Sequence, residues 1–265
     1  AAFADARMSH PAYEAVDRLP VIYSGAGGLG SRDIRPGDCI AIFENMKKAD
    51  KRFFVIGVDH PLALKSGQEP DVRPKGAFAM RGHSVGGYGS VTTNKILASI
   101  ISDMFGLCVQ GYPKYGSEKK GLPTTFYLSV AEDPIRTHCE LEHVDFVAVL
   151  DRYAFRNQNP LKGLVKGGAV FLQTEGDDQE KIWLDLPEQA RKAILDRQIR
   201  LLTLDATRVA REVTEVPDLI QRMQGIVLLG VFLRNTPFRA ARNLTEEQMF
   251  KGIEGSLRKY FGKRG

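Results

Sequence analysis

The residues with the most obvious chemical use are glycines. Gly82-His83-Ser84-Val85-Gly86-Gly87-Tyr88-Gly89-Ser90 stands between a strand expected over Ala77–Met80 and a helix expected from Ser90 to Met104. Glycines let a backbone approach a ligand closely and adopt positive φ. The free N–H groups at the start of the following helix favour an anion. A strand, a glycine loop and a helix in that order therefore suit a phosphate. The run is neither a strict dinucleotide fingerprint nor a P-loop, and no acidic ribose partner follows at the required distance. A tight turn without a ligand is the equally weighted alternative.

A second run, Gln110-Gly111-Tyr112-Pro113-Lys114-Tyr115-Gly116-Ser117-Glu118-Lys119-Lys120-Gly121, follows a short strand expected over 107–109 and interleaves aromatic rings with cations. Lys119 and Lys120 can act as point charges toward a phosphate. A ring there either covers a planar ligand or packs the loop. By itself such a run reads as a solvated surface loop. His138, Cys139 and His143 lack zinc-site spacing and a fourth ligand, so they read as packing residues, and no metal site is expected. No Gly-x-Ser-x-Gly elbow is present, and no catalytic residue is assigned. Asp151 and Asp205 stand at strand ends, where helix capping is the commoner use and ligand binding the rarer one.

These motifs need a frame to hold them. The chain has 265 residues, enough for one or two domains with a substantial core, and its composition (43% hydrophobic, 26% charged) is that of a folded globular protein. The net charge of +5 suggests an anionic partner, yet no Lys/Arg run exceeds two, so a nucleic-acid tail is not expected. Three scattered cysteines, Cys39, Cys108 and Cys139, are too few for an iron–sulfur cluster held by this chain alone and do not form a disulfide framework. The longest apolar run, Gly225 to Leu233, is about half a membrane span, and the N-terminus lacks signal-peptide order. The expected setting is the cytoplasm, with no membrane contact. Residue 1 is not Met, which suggests processing or an incomplete chain.

Residues 20–59 read as a strand at Val21-Ile22-Tyr23, a glycine turn, a helix from Pro36 with Cys39, Ile42, Phe43 and Met46 on its buried face, and a strand over Phe53–Val58 buried on both sides. Residues 65–76 carry linker chemistry. Beyond them strands alternate with helices. Strands are expected over 125–130, 146–150, 169–173 and 200–204, and helices over 187–198, from Pro217 through the apolar stretch 226–233, and after the Thr245-Glu246-Glu247-Gln248 capping box. This pattern predicts an α/β fold, a doubly wound and mostly parallel sheet, with a short N-terminal strand–helix–strand extension. Ligands of such sheets sit at the carboxyl ends of the strands.

The two loops together resemble a known family. His83 to Thr92 is similar to the His-Gly-Arg-Gly-Gly-Gln-Gly-Ala-Val-Thr segment of the gamma domain of the 2-oxoacid:ferredoxin oxidoreductases. Gln110 to Gly121 resembles that domain's Gln-x-Phe/Tyr-Pro-x-Tyr-Gly-x-Glu-Arg/Lys-Arg/Lys-Gly segment. Asp133-Pro134-Ile135, Asp145-Phe146-Val147 with Leu150-Asp151, and Leu204-Asp205-Ala206-Thr207 with Ala210 follow the same pattern. Tyr23-Ser24-Gly25, Gly28 to Asp33 and Pro36 resemble the end of domain II, which precedes gamma in single-chain pyruvate:ferredoxin oxidoreductases. The resemblance thus divides the chain into a domain-II-like tail or docking extension (1–64), a linker (65–76) and a gamma domain (77–265). Phe261 to Gly265 resembles a stretch that in the family runs on into further helix.

The resemblance implies a gamma-type subunit, inactive alone, of an enzyme that oxidatively decarboxylates a 2-oxoacid to an acyl-CoA. Thiamine diphosphate, magnesium and [4Fe-4S] clusters would lie on partners, namely alpha, beta and ferredoxin-like delta subunits, with ferredoxin or another electron acceptor served indirectly. By the same resemblance, coenzyme A would contact Gly86, Gly87, Gly89, Ser90, Ser117, Lys119 and Lys120, with Arg32 from the head of the chain. Ser84 and Val85 stand where the family has Gly-Arg, Tyr88 where it has Gln, and Gln224-Gly225 where many relatives have Asn-Met. Two other classes compete, a purely structural assembly subunit and a free-standing nucleotide-binding oxidoreductase. Coenzyme A titration separates the first of these, and NAD(P) titration the second.

Overall fold

The computed structural model describes residues 9–11, 21–85, 90–114 and 123–262. They divide into two compact units between Val72 and Arg73.

The first unit carries a three-stranded parallel sheet of β1 (Ser24–Ala26), β2 (Phe53–Ile56) and β3 (Ala63–Leu64), with helix α1 (Pro36–Lys48) between β1 and β2. Two expectations need correction here. The first strand lies at 24–26, not 21–23. Gly25 belongs to it because the Phe54 ring fills the space of a side chain, and a Cβ there would stand 2.2 Å from a ring carbon. The face of α1 expected to be buried is instead open, with Cys39, Phe43 and Met46 all exposed.

Polar anchoring has set the rotation of α1. Asp38 is buried and takes Arg32 Nη1 at 2.8 Å and the Arg35 N–H at 2.9 Å. Asn45 is buried and exchanges two hydrogen bonds with the Lys51 backbone. Gly37 lies under the 68–69 backbone, where a Cβ would come within 2.4 Å of the Gln68 carbonyl oxygen. Leaving any of these buried polar groups unpaired costs roughly 1–3 kcal/mol, which competes with burying one apolar side chain. Strand β2 is likewise one-sided: Phe54 and Ile56 are buried, while Phe53 is 69% exposed.

The second unit is built on six strands in the order β5-β6-β4-β7-β8-β9. They are β4 (Phe78–Val85), β5 (Cys108–Lys114), β6 (Pro123–Ala131), β7 (Val144–Val149), β8 (Leu164–Gln173) and β9 (Arg200–Leu204). Strands β4, β7, β8 and β9 run parallel, and β6 runs antiparallel between β4 and β5. The expected α/β class with a mostly parallel sheet is observed. Side chains alternate faces along each strand. Met80, Phe146, Ala148, Ala169 and Phe171 enter one core, with α2 (Ser90–Phe105) and, after β9, α7 (Pro217–Asn235) and α9 (Glu246–Phe261) supplying the helical side. Ala79, Val147, Val149, Val170 and Leu172 enter the other, covered by α4 (Gln179–Asp185) and α5 (Glu188–Asp196). Short α3 (Ala154–Asn157) follows β7, α6 (Ala206–Arg211) follows β9, and α8 (Phe238–Ala241) follows α7.

The deep burial expected all round the apolar run of helix α7 is found on one side only, with Ile226, Val227 and Val231 half-buried and Gly230 exposed. Leu228, Leu229, Phe232 and Leu233 are almost fully buried. Phe232 meets Phe78 and Phe146 edge to face at 5.8 and 5.3 Å. Gly225 lets α7 approach α2 closely, because a Cβ there would meet Thr93 Oγ1 at 2.0 Å. At the start of α9, Thr245 Oγ1 accepts the Gln248 N–H and Gln248 Oε1 accepts the Thr245 N–H, the expected capping box.

Two boundaries move toward strand. β4 extends to Val85, so Gly82, His83 and Ser84 belong to a central strand and not to a loop. The pull is tertiary: β6 pairs with the strand from Phe78 to Val85, and β7 pairs with it from Met80 to His83. β5 takes in Gln110 to Lys114. Gly111 makes room for Phe126, 3.0 Å from where its Cβ would be, and Pro113 is tolerated because β5 is an edge strand.

Candidate functional site

The carboxyl end of β4 opens onto a small cleft lined by His83, Ser84, Pro123, Thr124, Asp151, Tyr153, Ala154 and Gln158. Three elements build it. β4 supplies His83 and Ser84; β6 begins with Pro123 and Thr124; the turn after β7 supplies Asp151, Tyr153, Ala154 and Gln158. Because β6 is antiparallel to β4, its first residues lie opposite β4's last ones. Val85 pairs with Pro123, Ser84 with Thr124 and His83 with Thr125. The cleft therefore lies at the sheet end where an open α/β fold receives ligands.

His83 is the most unusual group in it. Its side chain shares a face with Arg81, two residues earlier, and is 5% exposed. Nδ1 stands 3.0 Å from Gln158 Oε1. With the Gln158 oxygen facing it, Nδ1 carries the proton and donates, and Nε2 presents a lone pair. Nε2 is buried without a hydrogen-bond partner among the described residues. Burial, and then the positive charge of Arg81, push the imidazole down to about 4, against a smaller upward pull from the Gln158 bond. His83 is thus neutral at neutral pH, an acceptor and not a cation.

Arg81 is itself buried and is held by main-chain oxygens. Nη1 donates to Leu141 O at 3.3 Å, and Nη2 donates to Pro160 O at 2.9 Å and to Lys162 O. It fixes the 160–162 segment beneath the cleft. Asp151 caps the following turn, its Oδ1 accepting the Tyr153 N–H at 3.0 Å. The Tyr153 ring is half exposed and carries the Arg156 guanidinium 4.8 Å from its centroid, with Arg152 at 6.0 Å.

The structure places the sequence-derived candidates unequally. Gly86, Gly87, Gly89, Ser117, Lys119 and Lys120 lie outside the described residues. Ser90 opens α2. Gly86 follows directly on the last residue of β4, and Leu122 directly precedes Pro123, so both candidate loops are joined covalently to the cleft rim. Arg32 belongs to the first unit, where its guanidinium grips both Asp38 oxygens at 2.8 and 3.3 Å.

In the second run, Tyr112 stacks on Tyr127 (centroids 5.1 Å apart, 27° between planes), Gln110 Nε2 donates to Thr137 O at 3.0 Å, and Lys114 pairs with Glu140. That part of the run is packing. Asp205 is a helix cap: Oδ1 accepts the Arg208 N–H and Oδ2 the Gly176 N–H. Desolvation raises its pKa, but these bonds and the Arg208 charge outweigh it and hold the carboxyl below its usual range.

Sequence reasoning overlooked His83 as a site group, and Gln158 altogether. They are 75 residues apart, and only the ladder of β4 with β7 brings them together. The one available signal was the period-2 continuation of β4 through the glycine-rich run. Among the described residues no cluster of three or more His, Cys, Asp or Glu could hold a metal ion, and no helix is long and apolar enough to cross a membrane.

Comparison with known proteins supplies the remaining context. A family described as pyruvate ferredoxin/flavodoxin oxidoreductase matches residues 79–265. Pyruvate:ferredoxin oxidoreductase of Moorella thermoacetica is 26% identical over 269 residues, covering 97% of this chain and 22% of the relative. Pyruvate-flavodoxin oxidoreductase of Rhodospirillum rubrum is 30% identical over 197 residues, 73% of this chain and 16% of the relative. This chain thus spans about a fifth of the length of these curated relatives. Among solved structures, 2-oxoglutarate:ferredoxin oxidoreductase from Magnetococcus marinus, with 2-oxoglutarate, coenzyme A and succinyl-CoA bound, aligns over 71% of this chain and 28% of its own, at a TM-score of 0.51 and 19% identity, a likeness of fold. From residue 79 onward the match is continuous, and the chain belongs to the pyruvate ferredoxin/flavodoxin oxidoreductase family.

Proposed function

We propose that this chain is the gamma-type part of a 2-oxoacid:acceptor oxidoreductase that converts a 2-oxoacid to an acyl-CoA, and that it contributes to coenzyme A binding and to assembly. One observation carries the reading: the family match runs through a cleft at the carboxyl end of β4, from whose rim both candidate phosphate loops depart. In this reading the backbone of Gly86, Gly87 and Gly89, with Ser90 at the start of α2, holds coenzyme A phosphates. Ser117, Lys119 and Lys120 add a donor and two cations. The head of the chain, residues 1–64, acts as a docking extension, and residues 65–76 connect it to the gamma domain.

The role is one of positioning. Holding the phosphates fixes where the coenzyme thiol can reach, which raises the effective concentration of thiol at the acyl intermediate. Thiamine diphosphate with magnesium would supply decarboxylation, and [4Fe-4S] clusters would carry single electrons, all on alpha, beta and delta partners. The chain has three cysteines, fewer than the four thiolates that a [4Fe-4S] cluster takes.

The test is a double variant, Lys119→Ala with Lys120→Ala, assayed in the assembled complex. Loss of two phosphate cations is expected to raise the apparent KM for coenzyme A by about tenfold or more with kcat little changed. An unchanged KM removes these lysines from the site.

A further inference from the structure

The floor and the rim of the cleft differ in chemistry. Phosphate wants cations and N–H donors. The described wall instead carries His83, whose buried Nε2 has no partner among the described residues, and the Asp151 carboxylate, and neither attracts an anion. The cations lie outward: Arg152 and Arg156 stand over the exposed Tyr153 ring. Among the described residues, the lining of this cleft therefore suits an uncharged group that donates a hydrogen better than it suits an anion.

We propose that His83, oriented by Gln158, uses Nε2 to accept a hydrogen bond from an uncharged N–H or O–H of the ligand bound at the end of β4. The inference rests on the coenzyme A reading above and narrows it. Phosphates go to the loops, and a neutral donor of the same molecule goes to His83. Coenzyme A carries such donors in two places, the amide and hydroxyl groups of its pantetheine arm and the amino group of its adenine.

Three facts support the assignment. Nε2 is the only nitrogen of the ring left to bind, since Nδ1 is taken by Gln158. The side chain sits in a central strand, so its position is fixed by the ladder on both sides. And a buried acceptor without a partner among the described residues carries a desolvation cost, which a ligand donor would relieve. Burial above all, and then the Arg81 charge held on three carbonyl oxygens, keep the imidazole deprotonated and so keep Nε2 an acceptor. His83 touches ligand in this account; Gln158 and Arg81 are positioning residues.

The experiment is calorimetric titration of the assembled complex with coenzyme A, pantetheine and adenosine 3′,5′-bisphosphate, using wild type, His83→Leu and His83→Gln. Gln places a side-chain acceptor near the position of Nε2, and Leu places none. His83→Leu is expected to weaken coenzyme A binding by about 5- to 100-fold, from the loss of one buried hydrogen bond. A loss confined to pantetheine assigns the donor to that arm, and a loss confined to the bisphosphate assigns it to adenine; either supports the proposal if His83→Gln restores most of the affinity. Affinities unchanged in His83→Leu, or lowered equally for both fragments, overturn it, the second because His83 would then be only a structural residue. Wild type that fails to bind the bisphosphate at all overturns the coenzyme A reading itself.

Discussion

The protonation of His83 gives a sharp test of the second unit. Its imidazole is held at about 4, against an ordinary value of 6.5. Between those values the unfolded chain binds a proton that the folded chain refuses, so stability rises with pH through this window. The contribution is complete above about pH 6.5 and is lost as the pH falls toward 4. At about 1.4 kcal/mol per pH unit the whole interval amounts to about 3 kcal/mol, and about 2 kcal/mol is gone by pH 5. Carboxylates near 4 titrate as well, but they do so equally in a variant without the imidazole.

The perturbation is His83→Gln, and urea unfolding at pH 7.5 and pH 5 is the assay. The chain has one tryptophan, Trp183, and it packs against the core of the second unit beside α4 and α5. Its fluorescence thus reports that unit without interference from the first. Acidification should cost wild type about 2 kcal/mol more than it costs the variant, a shift of roughly 1 M in the difference of urea midpoints. If the two proteins lose the same stability between the two pH values, His83 is not held neutral by burial and Arg81, and the acceptor role argued for Nε2 falls with it.

Three other perturbations follow from the packing. Gly225→Ala drives a methyl into Thr93 and should destabilise the second unit by about 1–3 kcal/mol in the same urea assay, with Thr93→Ala in the same chain recovering part of the loss. Gly163→Ala should cost more, because Gly163 has φ +70° and its Cβ would fall 1.7 Å from the Glu142 carbonyl oxygen; wild-type stability in that variant would contradict the described 142–163 contact. Asp205→Ala removes the cap of α6 and a link to Gly176, and should lower stability by about 1 kcal/mol at pH 7, measured by thermal unfolding.

The sequence carried the elements whose signals are local. The apolar runs of β7 and β8, the stripe Leu97, Ile100 and Ile101 on α2, and the Thr245 capping box all need only near neighbours, and all stand close to where they were expected. Two of the misreadings share a non-local cause. Gly82 and Ser84 suggest a loop, but β6 holds both in extension and β7 pairs with Gly82 as well. Gly111 and Pro113 suggest a loop, but an edge strand accepts both. Cys39, Phe43 and Met46 suggest a buried face, but Asp38 and Asn45 fix α1 the other way through partners six residues off or nearer. The candidate site was legible as a place, the end of β4, because strand–loop–helix order is local. Its wall was not legible, since His83 and Gln158 meet only after β7 has been laid beside β4.

The ladder pair of Val85 with Pro123 has a consequence for how any ligand at this end would be gathered. Segment 86–89 leaves the chain from that rung, and segment 115–122 returns to it. A molecule touching both segments closes a ring through the sheet. Once one segment has engaged such a molecule, the other meets it already held and not from free solution. Halves of such a molecule should then bind more weakly, taken separately, than the whole.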